Sequence, residues 1–125
     1  MIEYTRHFFV ALLLNVLVET SVIIVLVRRV FKIKQSEITM VRLIFASSFA
    51  NTLTLPYVWY VLPILIYGSY AWAMGVGEAF AFIVEAVFYY IFLKLNLKRS
   101  LAISFVANGA SFLLVSFLIK VIFQN

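Results

Sequence analysis

Four long apolar runs decide what this chain can become: Phe8 to Val27, Leu43 to Leu62, Gly75 to Leu93 and Ser100 to Phe123. A helix needs roughly 20 apolar residues to cross the hydrocarbon core of a bilayer. In lipid, a segment of that length must satisfy its backbone hydrogen bonds internally, which selects helices. A soluble domain is about 45–50% apolar and about 25% charged, whereas here the figures are 66% and 12%. The expected fold is therefore all-α: a polytopic membrane protein of four transmembrane helices, one domain over residues 1–125. The first run carries Asn15 and Glu19 and lacks a small-residue cleavage site, so it reads as a retained helix and not a signal peptide. Pro56 falls inside the second run, where it removes a helical hydrogen bond and favours a kink; Pro63 marks its end.

The basic residues give an orientation. Arg28, Arg29, Lys32, Lys34 and Arg42 lie between the first two runs, and Lys94, Lys98 and Arg99 between the last two. The stretch from Ile64 to Gly77 has no Lys or Arg but holds Tyr67, Tyr70 and Trp72, preceded by Tyr57, Trp59 and Tyr60. Aromatics of this kind favour the headgroup level, and Lys/Arg-rich loops stay in the cytoplasm. Both termini are thus expected outside, with turns 28–42 and 94–99 cytoplasmic, in an inner or plasma membrane. The +5 charge is split between helix ends. It serves topology and lipid contact, and no nucleic-acid partner is expected.

The four runs also repeat. Moving the first run forward by 66 positions places Val18, Glu19 and Arg28 on Val84, Glu85 and Lys94. Moving the second by 57 places Arg42, Ser47, Ala50, Asn51 and Thr54 on Arg99, Ser104, Ala107, Asn108 and Ser111. Two helical hairpins, about 8–62 and 75–123, are expected to form a parallel repeat about an axis along the membrane normal. Glu19 and Glu85 each lie nine residues from the basic boundary, as do Asn51 and Asn108. At 1.5 Å per residue that is about 13–14 Å, near the middle of a core about 30 Å thick.

Two Glu and two Asn thus share one level. Ser47 and Thr54 extend the Asn51 stripe, Ser104 and Ser111 extend that of Asn108, and Asn15 lies one turn from Glu19. Glu78 sits on the Glu85 face, about 10 Å nearer the outside. Ala107 and Gly109 are small enough to let the fourth helix approach a neighbour.

A carboxyl at mid-bilayer costs about 2.5–3.5 kcal/mol, so two of them need a reason. One is a proton or cation site, with Asn51 and Asn108 supplying carbonyl oxygens to a clasped ion. The other is glue between helices, with hydrogen bonds of about 0.6 kcal/mol each. Transport through the Glu19, Glu85, Asn51 and Asn108 layer is the first expectation. An accessory or assembly subunit of a larger complex is the second. Four short helices make a thin wall for a pathway, so a homo-oligomer or larger membrane complex is expected.

Enzyme chemistry has little to work with. There is no Cys, no Asp and one peripheral His, so neither a Ser/His/Asp triad nor a His-rich or thiolate metal site can be assembled. No cofactor is expected. His7, Tyr89 and Tyr90 read as interface or packing residues. The segments Asn51–Thr54–Pro56 (N-x-x-T-x-P), Val84-Glu85-Ala86 (V-E-A) and Ala107-Asn108–Ser111 (A-N-x-x-S) resemble those of a group of small prokaryotic four-helix integral membrane proteins. That resemblance implies the membrane fold and brings no activity with it.

Overall fold

The computed structural model describes residues 1–124, and every regular element in them is helical. Helix α1 spans Ile2–Val25 and runs on through a π turn, Leu26–Val30. Helix α2 spans Met40–Pro56. A second π turn, Tyr57–Val61, joins it to the short α3, Leu62–Leu65. Helix α4 spans Tyr70–Phe92 and α5 spans Leu97–Phe123. Among the described residues, three helices are long and apolar enough to cross a membrane: Ile2–Val30, Tyr70–Phe92 and Leu97–Phe123. The expected second span is helical from Met40 to Leu65, but Ser47, Asn51, Thr54 and Pro56 dilute its apolar character.

Local chemistry sets the boundaries. Thr39 caps α2 by accepting from the Arg42 backbone N–H at 3.3 Å, and Asn96 caps α5 by accepting from that of Arg99 at 2.8 Å. The two caps are 57 positions apart, the same offset as the polar stripes. Both fill an otherwise orphaned helix donor. The first helix stops at Lys32 and α4 at Lys94, each with positive φ (54° and 53°). The buried apolar residues Ile33 and Leu95 follow them and fold the chain back onto the core. Pro56 has no N–H for the helical ladder, and the chain widens into its π turn at the next residue.

The expected boundaries need correction at the other end. The middle connector is not Ile64–Gly77 but only the few residues between Leu65 and Tyr70, so Gly75 and Gly77 lie within α4. The reason is propagation: once Ser69 caps the helix by accepting from the Trp72 N–H at 3.4 Å, the aromatic and small residues from Tyr70 to Gly77 continue the ladder, glycines included. Gly109 is likewise not a close-approach site. It is exposed, and an added Cβ there would meet nothing within 4 Å. The close approach is at Gly77, where a Cβ would stand 2.9 Å from Val58 Cγ1 in the second π turn.

Packing follows a ring. α1 packs on α2 and α5, and α4 packs on the same two helices, so α1 faces α4 across the centre. The main core lies at the end with the basic turns: Ile23, Val27, Leu43, Ala46, Ala50, Tyr89, Leu93, Ile103 and Ala107. Two arginines lock that end. Arg28 donates to the Ile33 carbonyl (3.0 Å), to Gln35 Oε1 (2.7 Å) and to the Ile38 carbonyl, folding the connector around itself. Arg42 on α2 donates to the Phe92 carbonyl at the C-terminus of α4 and lies over the Phe92 ring at 5.4 Å. A cation at a helix C-terminus also complements the helix dipole. The sequence marks these two residues for topology and lipid contact; their role as donors to carbonyls appears with the fold.

Filling the one close contact tests the packing. Gly77→Leu is expected to cost about 1–3 kcal/mol through overpacking, and Val58→Ala in the same chain to recover part of it. Reversible unfolding of the purified variants in detergent measures both.

Candidate functional site

The polar stripe of α2 and that of α5 face each other across the bundle, and the two carboxyls stand between them. Glu19 Oε2 accepts from Asn51 Nδ2 at 2.8 Å, and its Oε1 accepts from Ser111 Oγ at 2.8 Å. Glu85 Oε2 accepts from Asn108 Nδ2 at 2.7 Å, and its Oε1 accepts from Thr54 Oγ1 at 2.7 Å. Each carboxyl therefore joins α2 to α5 from its own helix, and the four bonds close a loop through all four long segments. The bonds come in matched pairs. Shifting α1 residues by 66 and α2 residues by 57 turns Glu19–Asn51 into Glu85–Asn108. The same shifts relate Glu19–Ser111 to Glu85–Thr54. Both carboxyls are buried, at 2% and 1% exposure, and all four of their partners are neutral.

The amides act opposite to expectation. Asn51 and Asn108 present N–H groups to the carboxyls, not carbonyl oxygens. The local reason is visible on each helix. A second N–H of Asn51 donates to the Ser47 carbonyl (3.1 Å) and one of Asn108 to the Ser104 carbonyl (2.9 Å), one turn back. An amide nitrogen has two donors; anchoring one to the helix aims the other at the neighbouring carboxyl. A cation here would be held by carboxylate oxygens, with the amides holding the carboxylates.

The supporting residues fall into distinct places. Thr54 and Ser111 belong to the ring itself. Ser104 Oγ donates to the Phe82 carbonyl at 2.7 Å and clamps α5 to α4. Asn15 donates to the Ala11 carbonyl in its own helix at 2.9 Å. The Ser47 hydroxyl is buried, and among the described residues it finds no hydrogen-bond partner; the Thr20 and Tyr89 hydroxyls share that condition. Glu78 is half-buried and stands apart from the ring. His7 lies at the periphery, its ring against Phe123 at 3.7 Å. No three His, Cys, Asp or Glu side chains gather as a metal ion would require, among the described residues.

A cavity of about 270 Å³ reaches the ring from the end of the bundle that carries both termini. Glu19, Glu85, Asn51 and Asn108 form its floor, Asn15 and Glu78 stand on its walls, and Trp59, Tyr70 and Lys120 mark its mouth. On the opposite side of the ring lies the packed core around Ile23, Leu43, Tyr89 and Ile103, each with no exposed surface. Access to the carboxyls is therefore one-sided. From sequence Tyr89 reads as a packing residue; it is fully buried one turn from Glu85, and among the described residues its hydroxyl finds no partner. The i, i+4 spacing to Glu85 was the signal that could have drawn attention to it.

Comparison with protein-family models, curated proteins and solved structures found no match to this chain. The class is accordingly defined by the molecule itself: a helical protein with three helices fit to cross a membrane and two buried carboxyls at the end of a blind cavity.

The chain has no Cys, so single cysteines report access without interference. In lipid nanodiscs, where both faces meet solvent, a small water-soluble thiol reagent is expected to modify Ser116→Cys and, more slowly, Ser111→Cys. It is expected to leave Ser104→Cys and Ser100→Cys unmodified. Mass spectrometry of the labelled protein reads the result.

Proposed function

We propose that this chain is a four-helix integral membrane protein that moves protons or small cations through the layer formed by Glu19, Glu85, Asn51 and Asn108. In this reading Met40–Leu65 is the second crossing, both termini lie outside, and turns 28–42 and 94–99 lie in the cytoplasm. The two hairpins are halves of a duplicated unit, as the matched caps and matched ring bonds suggest. A homo-oligomer or a larger complex would complete the pathway in the bilayer.

The observation that carries this reading is the blind cavity. A layer that only fixed helix packing would have no need of a water-sized path from one face to its carboxyls. Magnitudes point the same way. Interhelical hydrogen bonds in membranes are worth about 0.6 kcal/mol on average, so four contribute on the order of 2–3 kcal/mol. Two mid-bilayer carboxyls cost about 5–7 kcal/mol by insertion scales. The ring does not offset its own carboxyls, and ionisable groups kept at such a cost mark ion and proton pathways by default. A chain caught with its outer side open and its inner side packed fits one half of an alternating-access cycle, in which the core around Tyr89 would have to part.

One observation favours a second reading, an accessory or assembly subunit. Every carboxylate oxygen in the ring already has a donor, as a structural clasp would have. The two readings separate on the double variant Glu19→Gln with Glu85→Gln. Transport predicts that the wild-type protein, purified and sealed in liposomes, dissipates a proton or monovalent-cation gradient and that the folded double variant does not. A clasp predicts no flux from either and loss of folding or of partner binding in the variant. Equal flux from both would remove the carboxyls from the pathway.

A further inference from the structure

The two halves of the bundle differ at their terminal ends, and the difference opens a second route to the site. At the terminal end of the first half, the seam between α1 and the second helical segment is closed by aromatics. Tyr4 packs on Trp59 and Tyr60, and Phe8 packs on the same two rings, with centroids 5.0–5.8 Å apart. Tyr4 also donates to the Trp59 carbonyl at 2.7 Å. The offsets of 66 and 57 that match the ring residues place Met74, Gly75 and Ser116 where Phe8, Phe9 and Trp59 stand. Bulk is lost at each of the three, while the counterparts of Tyr4 and Tyr60 remain aromatic at Tyr70 and Phe117. The corresponding seam between α4 and α5 is an open groove of about 990 Å³.

The groove is apolar on its flanks, where Phe82, Phe105, Phe112 and Leu113 stand, and Gly75 and Gly109 form open parts of its wall. It shares Met74, Glu78, Asn108 and Ser116 with the cavity above the carboxyls, so the two spaces meet. Its charges are uneven with depth. Lys120 lies twelve residues from Asn108 along α5, about 18 Å toward the terminal end, where a long amphipathic side chain reaches the headgroup level. Deeper than Lys120, Glu78 lines the groove, and Glu85 and Glu19 lie beyond it on the floor of the adjoining cavity.

We propose that the groove between α4 and α5 is a side port that admits an amphiphilic cation from the surrounding lipid. Its ammonium group faces Glu78 and the Glu85 end of the cavity, and its apolar tail stays between Phe82, Phe105 and Phe112. The proposal names a substrate class for the transport site described above and rests on that reading for its purpose. Charge selects the ligand: the ring carboxyls already have their donors, which leaves Glu78 as the acid that a cationic head would answer and a neutral or anionic one would not. The volume lies within the range of about 300–1,000 Å³ typical of small-molecule sites.

Binding of radiolabelled dodecyltrimethylammonium to the full chain tests this, in nanodiscs of neutral phosphatidylcholine with empty discs as background. Saturable binding is expected, at least about tenfold tighter than that of dodecanol or dodecyl sulfate measured by competition. Gly75→Phe restores the residue of the first half, and Gly109→Phe fills the facing wall. No atom lies within 4 Å of an added Cβ at either position, so both are expected to fold with unchanged melting temperatures. Each should weaken binding by about tenfold or more, as should Glu78→Gln, while proton or small-cation flux in the two glycine variants stays at the wild-type level. Binding that is unsaturable, that is matched by dodecanol, or that survives both glycine variants would overturn the side port. So would a change of oligomeric state in those variants without a change in binding, which would mark the groove as a contact between copies. Saturable binding lost in Gly75→Phe, in a protein that moves no small ion, would uphold the port and sink the transport reading alone.

Discussion

Two carboxyls held by four neutral donors set the geometry on which the rest of this bundle depends. Glu19 and Glu85 stand on helices that face each other across the centre, and each reaches both of the helices between. No pair of helices can rotate or slide by a residue without breaking one of those bonds. In an apolar surround an unpaired buried polar group costs far more than a paired one returns, so the ring fixes register even though its bonds are individually weak. The aliphatic core on one side and the aromatic seam on the other are then free to differ, because neither is needed to set the alignment.

That freedom is used asymmetrically. Below the ring, toward the basic turns, Ile23, Leu43, Tyr89 and Ile103 close the bundle, and Arg28 and Arg42 tie the connector and a helix terminus to it. Above the ring, one half keeps the Tyr4, Phe8, Trp59 and Tyr60 cluster and the other gives up its bulk at Met74, Gly75 and Ser116. The near-symmetric ring is thus set between a sealed floor and a mouth open on one side. In the transport proposed above, this asymmetry would supply direction, since a site equally exposed to both faces would be a leak. Tyr89 marks the point where the floor meets the ring. Its counterpart by offset is Ile23, so the hydroxyl belongs to one half only.

Much of the site was legible in the sequence, for a physical reason. Polar residues are so costly in long apolar runs that the few present mark their own level, and the nine-residue spacing of Glu19, Asn51, Glu85 and Asn108 from the basic boundaries put them together. The i, i+4, i+7 stripes of Ser47, Asn51, Thr54 and of Ser104, Asn108, Ser111 pointed inward as their spacing required. What the sequence hid was direction and fit. An amide offers a donor and an acceptor, and nothing in the residue type says which one meets the carboxyl; the anchoring bonds to the Ser47 and Ser104 carbonyls decide it. Helix starts at Ile2 and Tyr70 were hidden because apolar content marks where a helix suits lipid, not where its ladder begins. The tight contact at Gly77 and the empty space at Gly109 depend on tertiary packing, which spacing alone does not carry. Arg28 and Arg42 were read as charges, and their work as donors to carbonyls at chain turns appears only once the turns are folded.

The central claim is that the two carboxyls and two amides form one matched ring in the membrane-embedded protein. Dipolar recoupling by solid-state NMR reads it directly, with the carboxyl carbons of Glu labelled with ¹³C, the side-chain nitrogens of Asn with ¹⁵N, and the chain in lipid bilayers. Two couplings of nearly equal strength are expected, from Asn51 to Glu19 and from Asn108 to Glu85, each abolished by replacing its own Asn with Leu. Absence of both couplings, or a single coupling unaffected by either replacement, would contradict the account.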